Sequence, residues 1–145
     1  QYELMYVVAD ERDVIQLRAI HRLDDVLVYR TLASPEQSRA LFVDMLDRAN
    51  QLAKKPEFYN TVTNNCTTNV VSHVNNLWPS RVVYNFQVLL PGYSDRLAYE
   101  VGLIDNSRSF EETRAAARVN RLAYVHREDP NFSALIRQPD EVFRR

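Results

Sequence analysis

The segment Phe58 to Val74, FYNTVTNNCTTNVVSHV, holds the single cysteine of the 145-residue chain at a point where a helix is due to begin. Thr63, Asn64 and Asn65 offer capping side chains. From Cys66 onward the apolar residues Val70, Val74 and Leu77 recur at the spacing of one helical face. This pattern predicts a helix over 66–77 with Cys66 in its first turn. Unpaired backbone N–H groups and the positive end of the helix macrodipole favour a thiolate there, and the thiolate is the nucleophilic form. The same spacing admits a second reading, in which Cys66 is a small apolar residue packed under the helix with Val70, Val74 and Leu77.

One cysteine excludes an internal disulfide and a cysteine-rich zinc site, so the fold must rest on its core. With 46% hydrophobic and 26% charged residues, the chain has the composition of one soluble globular domain. A formal net charge of -1 and the lack of any block of like charge argue against nucleic acid as a partner and against a polybasic membrane tether. No apolar run approaches the roughly 18 residues that span a bilayer. The two glycines, Gly92 and Gly102, are too few and too far apart for a phosphate-holding loop, which excludes the familiar nucleotide enzymes. The residue pattern calls for no cofactor and no metal.

Three segments read as strands. Tyr2 to Val8 (YELMYVV) and Val14 to Ile20 (VIQLRAI) are rich in aromatic and β-branched residues around a charged turn, and Val26 to Leu32 (VLVYRTL) alternates in the same manner. Ser34-Pro35-Glu36-Gln37 then supplies an N-cap, a proline at the first helical position and a glutamine at the capping-box position. The apolar stripe Phe42, Met45, Leu46, Ala49, Leu52 and Ala53 carries that helix to Lys54-Lys55-Pro56. Further helices are expected over 66–77, 93–101 (ended by Gly102) and 110–125, with a last turn from Phe132 to Ile136, while Ser80 to Leu90 reads as mostly irregular. Strands come first, over about 2–32, and helices after. That order predicts a single α+β domain over 1–145 rather than repeating βαβ units. The chain opens inside an expected strand and without Met, so it reads as incomplete at its N-terminus.

A cysteine nucleophile needs a base brought near by the fold. His73 follows Cys66 by seven residues on nearly the same helical face, about 10 Å along the axis at the standard rise and thus out of touching range. His21, beside Arg22, and His126, beside Arg127 and Glu128, have the setting of solvated residues. Asp24-Asp25 and Asp10-Glu11-Asp13 read as turns. Tyr59, Asn60, Asn65 and Thr67 are candidates to line a site around Cys66, with Asn64 and Asn65 equally suited to capping, and the Cys66 N–H is placed to stabilise an oxyanion.

At these residues the chain resembles the Lnb N-terminal periplasmic domain family of bacteria. The resemblance lies in QYELMYVVADERD from Gln1, DDVLVYR from Asp24, SPEQSRALF from Ser34, FYNTVTNNCTTNV from Phe58 and PGYSDRLAYEVGLID from Pro91. It implies a circularly permuted, papain-like fold of the NlpC superfamily, akin to lecithin:retinol acyltransferase, of which this chain is the C-terminal part. In that fold the nucleophile helix packs on an antiparallel sheet. It implies Cys66 as catalytic nucleophile and a catalytic histidine upstream of Gln1, leaving the chain by itself catalytically incomplete. It further implies a cysteine thioester acyl-enzyme, an acyl-donor lipid or a peptide as substrate, and a place at the periplasmic face of the inner membrane, with membrane association through segments outside this chain. Three functions follow: a cell-envelope thiol acyltransferase or hydrolase, a cell-wall peptidase or amidase of the NlpC type, and a binding or scaffold domain with an inert cysteine. An apolar pocket beside Cys66 favours lipid, a polar groove favours peptide, and a buried thiol without a cleft favours the scaffold.

Overall fold

A computed structural model describes residues 2–78, 82–83, 88 and 91–138. Most of the expected Ser80–Leu90 segment lies outside the described residues. The chain divides into two compact units: Gln1–Val7 with Thr31–Ile104, and Val8–Arg30 with Asp105–Arg145.

In the first unit, helix α2 (Pro35–Lys54) starts on Ser34, whose side chain accepts from the Gln37 N–H while the Gln37 side chain returns a bond to the Ser34 N–H. This is the reciprocal cap read in the sequence. Helix α3 (Cys66–Leu77) starts on Asn65 with the same reciprocal arrangement to Thr68. The two helices pack together. A 3-10 turn at Pro91–Tyr93 leads into α4 (Ser94–Glu100). Gly102 ends α4 at φ 69°, a region where a Cβ is costly, and its N–H reaches the Tyr99 carbonyl at 3.1 Å. The core of this unit gathers Val71 and Val74 of α3 with Val82, Val88 and Leu97, flanked by Trp78, Val101 and Leu103.

The second unit contains α1 (Glu11–Gln16), which continues as a π-turn through Leu17–His21, and α5 (Phe110–Ala117), α6 (Asn120–Val125) and α7 (Phe132–Leu135). Its core is Ala19, Val119, Leu122, Ala123, Phe132 and Ile136, with Ile15, Ile20, Val26 and Val28 packed against it.

The expected antiparallel sheet is absent: the described residues contain no strand, only isolated bridges, and the α+β arrangement is overturned. Val14–Ile20 is helical. Asp10 caps it by accepting from the Arg12 N–H at 2.8 Å, Glu11 and Asp13 sit in the first turn, and Ile15 with Ala19 forms an i, i+4 pair facing the core. Those helical signals outweigh the β-propensity of Val14 and Ile15. Tyr2–Val8 and Val26–Leu32 are extended, but their partners are single residues of irregular chain. Glu3 bridges to Phe58, Leu27 to Arg118 and Thr31 to Ile104. No neighbouring strand continues any of these ladders among the described residues.

The helix expected over 110–125 is two helices. Arg118 between them takes an extended conformation, φ -72° and ψ 118°, and pairs with Leu27, while the Val119 N–H reaches the Val26 carbonyl at 3.0 Å. The expected inner face of α3 is also shifted. Val70 is 55% exposed and Cys66 is exposed, while Thr67, Thr68, Val71 and Val74 turn inward.

Candidate functional site

Cys66 is the first residue of α3, and its N-cap residue Asn65 is 1% exposed and fully engaged. The Asn65 Oδ1 accepts from the Thr68 N–H at 2.8 Å, its Nδ2 donates to the Thr61 carbonyl at 2.7 Å, and its N–H donates to Thr68 Oγ1 at 2.8 Å. The start of the helix is therefore fixed, and the thiol stands on it facing outward. Thr67 is buried, with its hydroxyl 3.9 Å from the Cys66 sulfur. Packing under the helix, one of the two readings of Cys66 from the sequence, does not describe an exposed thiol.

The other named residues have local duties. Asn60 Oδ1 accepts from the Val62 and Thr63 N–H groups at 2.9 and 3.0 Å, closing the turn before the helix. Asn60 and Asn64 also exchange backbone bonds at 3.1 and 2.9 Å. Tyr59 donates its N–H to the Tyr2 carbonyl at 2.8 Å and leaves its ring 40% exposed.

His73, two turns after Cys66, is 4% exposed and has both ring nitrogens occupied. Nδ1 lies 2.6 Å from Asp44 Oδ2 on α2, and Nε2 lies 2.5 Å from the Tyr6 hydroxyl. The Tyr6 ring meets the imidazole edge-on, with centroids 5.8 Å apart and planes at 81°. An ionised carboxylate only accepts, so Nδ1 carries the hydrogen, and in the neutral ring Nε2 accepts from the Tyr6 O–H. The bond from His73 holds the Asp44 carboxyl below its ordinary value, against the opposing effect of burial. Burial pushes the Tyr6 phenol above its ordinary value, while Arg48 pulls it down and Asp44 pushes it up. Tyr6 is thus kept as a protonated donor. Asn76 adds its Nδ2 to Asp44 Oδ2 at 3.2 Å.

This Asp44–His73–Tyr6 set is invisible to sequence spacing, because its members come from an extended segment and two helices. One signal was available. Asp44 is a lone carboxylate inside the apolar run of Phe42, Val43, Met45 and Leu46, although Phe42, Val43 and Leu46 themselves prove exposed.

Two clefts border the helix pair. One, of about 500 Å³, is polar and lies along Arg48 and Gln51 of α2 and Thr68, Asn69, Ser72 and Asn76 of α3, reaching Glu57, Thr63 and Asn64. There Arg48 and Glu57 form a two-pronged ion pair at 2.9 and 2.7 Å, which lowers the Glu57 carboxyl below its ordinary value. The other, of about 620 Å³, runs along the α2 face of Pro35, Arg39, Ala40 and Val43 to Leu77 at the far end of α3. Tyr59, Asn60, Asn65 and Thr67 line neither cleft. No cluster among the described residues has the make-up of a metal site, and no helix there is long and apolar enough to cross a membrane.

The model of the Lnb N-terminal periplasmic domain matches residues 1–92, which include Tyr6, α2, the capped turn and Cys66 with the whole of α3. The chain belongs to the Lnb N-terminal periplasmic domain family. It is accordingly a periplasmic domain of a bacterial protein. Neither a curated protein nor a solved structure matches the chain. Every residue of the Asp44–His73–Tyr6 set falls inside the part matched by the family.

Proposed function

We propose that this Lnb-family domain carries the nucleophile of a cell-envelope thiol acyltransferase or hydrolase, with Cys66 forming a thioester acyl-enzyme. The observation that carries this reading is the exposed thiol on the first residue of a firmly capped twelve-residue helix. Unpaired N–H groups and the helix dipole favour the thiolate at that position. In the proposed reaction the base takes the Cys66 thiol proton, the thiolate attacks an acyl carbonyl carbon, the C–S bond forms as the bond from that carbon to the leaving group breaks, and the base passes its proton to the leaving group. An amine or water then attacks the thioester and releases the thiolate.

The base is not His73, whose nitrogens are held by Asp44 and Tyr6. A histidine supplied by a further segment of the protein is part of the proposal, as are a permuted papain-like relationship and a position at the inner membrane.

The polar cleft favours the peptidase or amidase alternative on one count. It contains Thr63, Asn64, Thr68 and Asn69, the close sequence neighbours of Cys66, whereas the cleft with more apolar lining ends at Leu77. Cys66 itself lines neither cleft, and a polar cleft suits an amide-bearing substrate better than an acyl chain.

The test uses the full-length protein with either a phospholipid or a cell-wall peptide as donor, followed by intact-protein mass spectrometry. A mass increase on Cys66 that hydroxylamine removes, absent in Cys66→Ser, is the expected result. Turnover by Cys66→Ser at the wild-type rate overturns the proposal.

A further inference from the structure

A chain of polar contacts leads from the buried imidazole to the cap beneath Cys66. Tyr6, which bonds His73 Nε2, also has its hydroxyl 3.5 Å from Asn69 Oδ1, longer than an ordinary O–H···O hydrogen bond. The other end of the Asn69 amide is engaged, its Nδ2 donating to Asn64 Oδ1 and to the Asn65 carbonyl, both at 2.9 Å. Asn65 is the N-cap of the helix that Cys66 opens. Asn69 therefore joins the two ends, with its oxygen toward the relay and its nitrogen toward the cap.

A phenol has one hydrogen to give. While His73 is neutral, that hydrogen is on the line to Nε2, and Asn69 Oδ1 receives nothing from Tyr6. When the imidazole takes a proton from solvent, Nε2 becomes a donor and bonds the Tyr6 oxygen, and the phenol hydrogen is free to turn to Asn69 Oδ1. The two protonation states of one ring thus give the Asn69 amide two different sets of partners.

We propose that His73 and Tyr6 are positioning residues for Cys66, and that the protonation state of His73 sets the hold of Asn69 on the Asn64–Asn65 cap. The inference rests on the placement of Cys66 at that cap, and it stands whether or not Cys66 is the catalytic group. The charged and titratable groups that face the relay are Asp44 and Arg48 from α2, Tyr6 from the extended segment, and Glu57 through its pair with Arg48. Helix α3 itself has no charged residue besides His73. Asp44 and Glu57 both titrate below their ordinary carboxylate values, so their charges stay constant across the histidine range.

The experiment is a titration of this chain from about pH 4 to about pH 9, the span that brackets ordinary histidine titration, followed by NMR. The His73 ring resonances and the backbone amides of Asn65, Cys66 and Thr68 are recorded together. The amides are expected to shift in one step whose midpoint is that of the His73 ring, and iodoacetamide alkylation of Cys66 is expected to show an inflection at the same pH. In Tyr6→Phe the step at the Cys66 amide is lost. Asn69→Ala gives the same loss with Tyr6 intact, so the outcome does not rest on one variant. A merely structural role would lower stability without changing the pH profile of Cys66. Cys66 amides that ignore the His73 midpoint, or a step that persists in both variants, would overturn the proposal.

Discussion

Cys66 and His73 lie on one stripe of α3, two turns apart, yet the thiol is exposed and the imidazole is 4% exposed. The difference comes from what covers each end. Asp44 of α2 and Tyr6 of the extended segment close over the second half of the stripe. The first half, with Cys66 and Val70, stays open. One helix therefore presents its thiol outward and ties itself to its neighbour through a side chain of the same face.

Replacing Asp44 by Ala leaves the buried His73 Nδ1–H without its acceptor, and the expected cost is about 1–3 kcal/mol. Chemical denaturation of the variant against the wild type measures it. An unchanged midpoint would show that the imidazole finds another partner at no cost.

The pH dependence of that contribution has a definite sign. The folded-state pKa of Asp44 is lowered, so the carboxylate stabilises the fold fully above the ordinary value of about 3.9 and progressively less as pH falls through the lower, folded value. The stability gap between wild type and Asp44→Asn is therefore expected to close as pH falls below about 4. Thermal melts of both proteins below about pH 5 check the prediction, and a gap that persists undiminished well below about pH 4 contradicts it.

Asn65→Ala removes a buried cap whose side chain makes two bonds, and it is expected to cost near the upper end of the about 0.5–2 kcal/mol typical of caps. Ser34→Ala, at the more open start of α2, is expected to fall lower in that range. The ranking is read from paired denaturation curves and fails if Ser34→Ala is the more damaging.

Cys66→Ser is expected to leave the melting temperature nearly unchanged, because an exposed side chain contributes little burial. The native thiol is also expected to react with an uncharged alkylating agent under conditions that keep the fold intact. Labelling that requires denaturant would place the sulfur inside.

In the second unit, Phe132 is 1% exposed within the core of Ala19, Leu122 and Ile136. Phe132→Ala is expected to cost about 3–5 kcal/mol by removing that packing. Loss of protection at the amides of α6 in hydrogen exchange is the companion measurement, and full protection there would show that the core refills.

Local chemistry along the chain was enough to determine the starts of α2 and α3. Ser34 with Gln37 and Asn65 with Thr68 satisfy the first N–H groups of α2 and α3 within a few residues, so these starts are written in adjacent letters. The stop at Gly102 is local for the same reason, since a left-handed φ suits glycine. The position of Cys66 as the first residue of α3 follows directly. What tertiary structure decided is everything that needs a partner distant in sequence. The extended segments Tyr2–Val8 and Val26–Leu32 have the composition of strands, but a sheet requires neighbours, and each found only single residues such as Phe58, Arg118 and Ile104. The face of α3 that is buried depends on where α2 and the core lie, which turned Val71 inward and left Val70 outside. The pairing of His73 with Asp44 and Tyr6 joins residues 29 and 67 positions apart, a contact that no periodicity records because a buried polar group is satisfied by whatever the fold brings to it.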